Sequence, residues 1–126
     1  MAEHWFTPAT ARQALDALRP TAETLHRLVR EMERALPARI RPDQPVDTAY
    51  FLLVTRLHAV LSEIRRSGVQ VQDLRGGLLG FPARRAGRPV VLSWRVGETT
   101  LGFWHESGPG RGDRRPLDDD GPWDAG

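Results

Sequence analysis

The residues best suited to chemistry lie near the carboxyl end, where His105 is followed by Glu106. Imidazole and carboxylate groups are common zinc ligands, so this pair suggests half of a metal-dependent hydrolase site. If the segment is a strand, however, neighbouring side chains point to opposite faces and cannot coordinate the same ion. The other histidines, His4, His26 and His58, show no ligand spacing. We therefore keep His105 and Glu106 only as metal candidates, and expect no metal site and no cofactor.

The sequence shows no arrangement of residues that is typical of nucleophilic catalysis. The chain contains no cysteine. No serine sits in the context of a nucleophile elbow, and the glycine pairs lack the lysine that a phosphate loop requires. We therefore expect a non-catalytic binding or interaction module rather than an enzyme. The cysteine-free composition suits a reducing compartment and Met1–Phe6 does not resemble a secretory signal, so we expect a cytoplasmic protein.

Charge is segregated along the chain, and all 18 basic residues are arginine. Residues 1–64 carry eight arginines and eight acids, residues 65–115 ten arginines and four acids, and residues 116–126 four aspartates. The three charges, 0, +6 and −4, sum to the net charge of +2. The basic half makes arginine-mediated binding of RNA or another nucleic acid an alternative function. A further hypothesis is that the acidic tail, anchored by Trp123, folds back on this half and competes with its ligand.

Two amphipathic helices account for the first half of the chain. Thr7 followed by a proline is a helix start. Apolar residues then recur at spacings of four and three over residues 11–36, which predicts one long helix with a kink at Pro20, and two helices in register as the alternative. A second stripe over residues 46–64 is too wide for a two-helix seam, so we expect this helix to bury a second face.

After Gly68 the hydrophobic period falls to two, which predicts short strands over residues 69–106. Ala86-Gly87 and Gly97-Glu98 suit hairpin turns. We therefore predict an α+β fold, with a long two-helix antiparallel hairpin followed by a small antiparallel β-meander of three to four strands. In residue numbers, the single domain spans 1–115, the hairpin 7–67 and the meander 69–106, and 107–126 is a mostly disordered acidic tail.

A two-residue turn at Gly97-Glu98 would set Leu92 opposite Phe103 on a core face, with His105 at its edge. The reverse face is then our predicted ligand site, because small residues between the Trp104 indole and the Arg95 guanidinium would leave a shallow slot. Arginine binds carboxylate or phosphate through paired hydrogen bonds and stacks on flat rings. Its residues, including the arginines at the rim, are Ser93, Arg95, Trp104, Arg84, Arg88 and Arg114.

The expected partner is an anionic or planar small molecule, or a protein. A membrane is not expected, because the longest wholly apolar run, Ala49–Val54, is far shorter than the roughly 18 residues of a transmembrane helix. Formation of a homodimer through the helices stays open.

The second half of the chain also carries a recognisable set of residues between Gly68 and Leu117. These are Gly77, Phe81, Pro82, Ala83, Gly87, Leu92, Trp94, Arg95, Gly97, Glu98, Trp104, His105, Glu106, Arg114, Pro116 and Leu117. With them the chain resembles a prokaryotic family known only as a domain of unknown function, catalogue number twenty-two hundred and three. The resemblance implies a shape and no established activity, substrate or cofactor. The chain departs from it at Gly80, Ser93 and Arg111, where the family commonly has an acid, a cysteine and an aromatic residue.

Overall fold

The structure is a computed structural model that describes residues 4–39, 48–108 and 113–125. Its elements are α1 (Pro8–Arg39), α2 (Thr48–Arg66), β1 (Gln70–Asp73), β2 (Leu78–Arg85), β3 (Arg88–Arg95), β4 (Phe103–Glu106) and β5 (Arg115–Pro116). The five strands form one antiparallel sheet in sequence order. The predicted α+β class, helical hairpin and β-meander are therefore confirmed, with one strand more than the predicted maximum. The expected apolar position at Val46 lies outside the described residues.

Helix α1 begins where the sequence predicts. The Thr10 backbone N–H donates to the Thr7 hydroxyl oxygen at 3.1 Å, which caps the helix start. The helix then continues through Pro20 without interruption. Its predicted seam faces the core, with Ala11, Leu15, Leu18, Ala22, Leu25 and Val29 all buried. Among the described residues, no helix combines the length and apolarity needed to cross a membrane.

Helix α2 packs against α1 and β1, with Leu53, Val60 and Leu61 partly buried against the core. Leu57 and Ile64 are its buried residues. Phe51 and Leu52 remain 61% and 60% exposed. The expectation that this helix buries a second face is therefore wrong for the single chain.

The hairpin of β2 and β3 turns at Ala86-Gly87, as predicted. Ala86 and Gly87 have φ values of 52° and 77°, the left-handed conformation that tight hairpin turns require. The side of the hairpin that faces α1 supplies Leu79, Phe81, Ala83, Val90, Leu92 and Trp94 to the core. We call this the helix-facing side of the sheet, and the opposite side the outer face.

Strands β3 and β4 pair one residue away from the predicted register. Leu92 lies opposite Trp104, whereas the prediction placed it opposite Phe103. Because side chains alternate along a strand, a slip of one residue exchanges the two faces. Trp104 therefore belongs to the helix-facing side, and Phe103 and His105 belong to the outer face.

The cause of this slip is a longer connection than the predicted two-residue turn. The Glu98 N–H donates to the Arg95 carbonyl oxygen at 2.9 Å, which closes a turn around Val96-Gly97 instead of Gly97-Glu98. The chain then passes through four more residues before β4 begins at Phe103. Leu101, in this connection, is completely buried and anchors it to the core.

Residues 113–125, which we call the docked tail, follow a defined path along the sheet, although we expected disorder over most of 107–126. Within it, β5 pairs with β4. The Ala86 N–H donates to the Pro122 carbonyl oxygen, and the Asp124 N–H to the Arg84 carbonyl oxygen, both at 2.8 Å. Three of its aspartates form ion pairs with the rest of the chain: Asp118 with Arg85 at 3.2 Å, Asp119 with Arg12 at 2.6 Å and Asp124 with Arg84 at 3.6 Å.

Candidate functional site

The six predicted ligand-binding residues do not form one site. Ser93 and Arg114 meet on the outer face. The register places Trp104 on the opposite side of the sheet, so the predicted pairing of its indole with Arg95 across a slot does not form. The remaining residues are spread along β2 and β3: Arg95 is exposed at the end of β3, Arg84 lies beside the docked tail, and Arg88 begins β3 near Trp104.

The centre of the outer face is occupied by Arg114. Its Nε–H donates to the Ser93 hydroxyl oxygen at 3.0 Å, and Nη2 donates to the Ser93 carbonyl oxygen at 3.1 Å. Its guanidinium carbon lies 4.3 Å from the centre of the Phe103 ring. Ser93 has no exposed surface, so the small residue that was predicted to open a slot is covered.

Glu98 completes this arrangement by pairing with Arg114. Arg114 donates to both carboxylate oxygens, at 2.7 and 3.0 Å, and the Arg95 backbone N–H donates at 2.6 Å. Burial by itself would raise the pKa of Glu98, but these hydrogen bonds outweigh it and hold the pKa below the ordinary value. The outer face is thus closed by an internal ion pair.

Trp104 instead lies in a stack of aromatic and arginine side chains. It is 6% exposed, and the Arg85 guanidinium carbon lies 4.8 Å from its ring centre and 4.8 Å from that of Trp123. The two indoles meet edge to face at 5.8 Å. Arg115 approaches the Trp104 ring at 5.0 Å. The arginines that contact the Trp104 indole are therefore Arg85 and Arg115, on the side of the sheet opposite the predicted slot.

A cleft of about 290 Å³ opens beside this stack. We call it the arginine cleft. It lies where the β2–β3 turn, the end of β4 and the docked tail meet. Its lining residues are Arg85, Ala86, Arg88, Val90, Trp104, Glu106, Arg115 and Pro122.

Two arginines of the arginine cleft share one carboxylate oxygen. Oε1 of Glu106 lies 2.5 Å from Nη2 of Arg88 and 3.8 Å from Nη1 of Arg115. Arg85 is paired with Asp118. Three guanidinium groups thus face two carboxylates, and three minus two leaves one positive charge. The side chains of Arg88 and Arg115 are 67% and 58% exposed, so most of their N–H groups face solvent.

His105 and Glu106 point to opposite faces of the sheet, as alternation along a strand predicts. The His105 Nδ1–H donates to the Glu106 carbonyl oxygen at 2.7 Å. Its Nε2 lies 3.0 Å from Oε1 of Gln72. Because the ring proton is on Nδ1, Nε2 accepts a hydrogen bond when the Gln72 amide is turned so that its NH₂ group takes this position. Both ring nitrogens are thus engaged while the Glu106 carboxylate faces the arginine cleft. Within the described residues, no three histidine, aspartate or glutamate side chains are grouped as metal ligands.

The sequence prediction missed five of the residues that line the arginine cleft: Arg85, Ala86, Val90, Arg115 and Pro122. Arg85 and Arg115 were visible as members of the basic half, but nothing local to them indicated a shared cleft. The available signal was the charge segregation together with Trp123, which favoured a tail folded back on the basic half. The structure brings those two parts of the chain together.

Comparison with known proteins identifies a family but no activity. The sequence model of a family described as uncharacterized conserved protein (DUF2203) matches residues 4–117. No curated protein and no solved structure matches the chain.

Proposed function

The protein belongs to this uncharacterized conserved family, DUF2203, and we propose that it is a non-catalytic binding module that takes a small anion in the arginine cleft. The observation that carries the proposal is the convergence of Arg88 and Arg115 on a single oxygen of Glu106. Each guanidinium presents five N–H donors in a fixed fork. One shared carboxylate oxygen cannot satisfy two such forks, so donors remain for a carboxylate or phosphate from outside.

The cleft is held in place before any ligand arrives. Arg85 contacts both indole rings and is paired with Asp118. Arg115 is part of β5, so its backbone is tied to β4. Preorganised donors lose less conformational freedom on binding, which supports specific recognition over loose attraction.

The dimensions favour a small ligand. A volume of about 290 Å³ lies near the lower end of the range for ligand pockets, roughly 300–1,000 Å³. Because Trp104 is buried under arginines, its ring face is closed to a planar ligand, and the anionic part of our expectation is the part with support. A cytoplasmic location, which the cysteine-free composition favours, would place the cleft among small organic anions.

The contacts of the docked tail favour a role other than the expected competition with the ligand. Its acids pair with Arg12, Arg84 and Arg85, and not with Arg88 or Arg115. The tail also contributes Arg115 and Pro122 to the lining of the cleft. We therefore propose that the tail completes the site.

Calorimetric titration with sodium citrate and with sodium phosphate at a physiological ionic strength of about 0.15 M tests the proposal. We expect saturable binding of at least one probe, and Arg88→Gln should weaken it by about tenfold, as loss of a charge-assisted contact does. Glu106→Gln should strengthen binding, because it removes the carboxylate that competes for the same donors.

Arg66→Gln is the matched control, since it removes an exposed arginine at the end of α2, away from the cleft. It should change the affinity by less than about twofold, because exposed charges are screened over roughly 8 Å at physiological salt. Absence of saturable binding, or equal losses in Arg88→Gln and Arg66→Gln, would rule out the cleft as the site.

Two alternatives from the sequence remain proposals. Nucleic-acid binding is supported by the charge of +6 over residues 65–115, and it predicts that a short RNA binds with similar losses for Arg88→Gln and Arg66→Gln. A metal-dependent hydrolase at His105 and Glu106 has less support, since the two side chains lie on opposite faces.

A further inference from the structure

The docked tail forms part of the wall of the arginine cleft and is attached to the rest of the chain by few contacts. We propose that docking of the tail and binding of the anion are coupled: the anion binds tightly only while the tail is docked, and a bound anion in turn keeps the tail docked. This inference rests on the proposed function, because it adds regulation to the same site.

The path of the tail closes a ring around the arginine cleft. At one edge of the sheet, β5 pairs with β4 and sets Arg115 opposite Trp104. On the other side, Trp123 forms an isolated antiparallel bridge with Arg85 of β2. The tail thus runs from β4 back to β2. Residues of β2, β3, β4 and the tail all line the cleft, so opening of the tail would open the cleft.

Two of the three arginines of the cleft depend on the docked tail. Arg115 belongs to the tail. Arg85 belongs to β2, but its guanidinium is paired with Asp118 and contacts the ring of Trp123. Opening would carry Arg115 away and would free Arg85 from both partners. The anion should then bind at least about ten times more weakly, because it loses charge-assisted hydrogen bonds.

The contacts that hold the tail are mostly open to solvent. Strand β5 is two residues long. The side chains of Asp118 and Asp119, which pair with arginines outside the tail, are 52% and 60% exposed, and exposed ion pairs contribute little stability. Segments with few buried contacts open locally at a lower free energy than the core does. The tail should therefore open while the helices and the β2–β3 hairpin stay folded.

Hydrogen exchange of single amides, followed by NMR on the full chain, tests the coupling. The Leu117 N–H donates to the Gly102 carbonyl oxygen at 2.9 Å, and the Asp124 N–H to the Arg84 carbonyl oxygen at 2.8 Å, so both exchange when the tail opens. A saturating concentration of citrate or phosphate, whichever binds in the calorimetric titration, should slow this exchange by at least about tenfold. Linkage requires this, because docking and binding strengthen each other by the same factor.

Three controls separate the coupling from other effects of added anions. The Gly68 N–H donates to the Arg65 carbonyl oxygen at the end of α2, away from the cleft, and its exchange should change by less than about twofold. Arg88→Gln should raise the anion concentration needed for half of the slowing by about tenfold, whereas Arg66→Gln should leave it within about twofold. Sodium chloride at the same ionic strength should not slow the exchange of the tail, since it screens the ion pairs that hold it.

The outcomes distinguish this inference from the proposed function. If an anion saturates in the titration but exchange of the tail amides stays within about twofold, the coupling is wrong and the anion site stands. Equal slowing at Gly68 and in the tail would also overturn the coupling, because it would mean a general stabilisation of the fold. Saturable binding of neither probe would remove the anion site and the coupling together.

Discussion

Replacement of Trp123 by alanine should release the docked tail while leaving the helical hairpin folded. Trp123 is, with Leu117, one of the two apolar side chains of the docked tail that pack against the core. Its ring meets Trp104 edge to face at 5.8 Å and covers Arg85 at 4.8 Å. Its indole N–H donates to the Asp118 carbonyl oxygen at 2.6 Å, which closes the tail on itself.

The size of the effect follows from these three contacts. An edge-to-face aromatic pair contributes about 0.5–1.5 kcal/mol beyond area burial. A cation–π contact at a partly exposed site contributes about 0.5–1 kcal/mol, and a neutral hydrogen bond about 0.5–1.5 kcal/mol. Because contacts that share partners are not additive, we expect a loss of about 2 kcal/mol in the free energy of unfolding. For a chain of this length that is a fall of about 8 °C in Tm.

Trp5→Ala is a matched control for this measurement. Trp5 is also half-buried, and among the described residues its ring stacks on the Arg84 guanidinium at 5.3 Å. With one such contact its loss should stay below about 1 kcal/mol. Urea unfolding followed by far-UV circular dichroism measures both variants, because that signal does not depend on the missing tryptophan. If Trp123→Ala loses no more stability than Trp5→Ala, the docking of the tail has been misjudged.

Three further predictions concern single groups. The Arg12 hydrogen bond lowers the pKa of Asp119, so Arg12→Ala should raise that pKa toward its ordinary value in a carbon-13 NMR titration; an unchanged pKa would mean that the two side chains do not pair in solution. The pKa of Glu98 lies below its ordinary value of 4.5, so this carboxylate stabilises the fold above that pH and the contribution is lost as the pH falls through the lowered pKa. The free energy of unfolding should therefore change less between pH 6 and pH 3 in Glu98→Gln than in the wild type. An equal change in both proteins would show that Glu98 does not contribute to the pH dependence. Gly77 and Gly87 both have positive φ, but a Cβ at Gly77 would lie 3.0 Å from the side chains of His26 and Val96, whereas one at Gly87 would meet nothing within 4 Å. Gly77→Ala should therefore lower the free energy of unfolding more than Gly87→Ala does. The reverse order would show that backbone strain in the hairpin turn outweighs the clash at Gly77.

The helices were the most predictable part of this fold. The seam of α1 is set by local spacing, and a proline does not end a helix when the apolar period continues in phase on both sides of it. Pro20 shows this, since α1 passes through it with the seam buried before and after. The exposure of Phe51 was not predictable in the same way, because a wide apolar stripe indicates that a surface should be covered without saying by what.

The register between β3 and β4 was not predictable from alternation alone. A glycine at position 97 fits the first central position of one turn type and the second central position of another. The choice depends on Glu98, whose carboxylate binds the Arg95 N–H and Arg114, and on the burial of Leu101. Both are tertiary contacts. A shift of one residue then moved Trp104 from the predicted ligand face to the core.

The candidate site depended on the path of the tail. The sequence indicated attraction between a basic half and an acidic tail, but charge counts do not identify which residues pair. Asp118 meets Arg85, and Glu106, in the sheet, is the acid that Arg88 and Arg115 share. The arginine cleft is the gap that remains after those pairs have formed.

The most direct test of the central claim is a crystal structure of the full chain grown with sodium tungstate, a heavy tetrahedral anion that is visible in anomalous maps. We predict tungstate in the arginine cleft, within hydrogen-bond distance of both Arg88 and Arg115, with the Glu106 carboxylate displaced from between them. Tungstate bound only at arginines elsewhere, with Glu106 still between Arg88 and Arg115, would contradict the claim that this cleft is built to receive an anion.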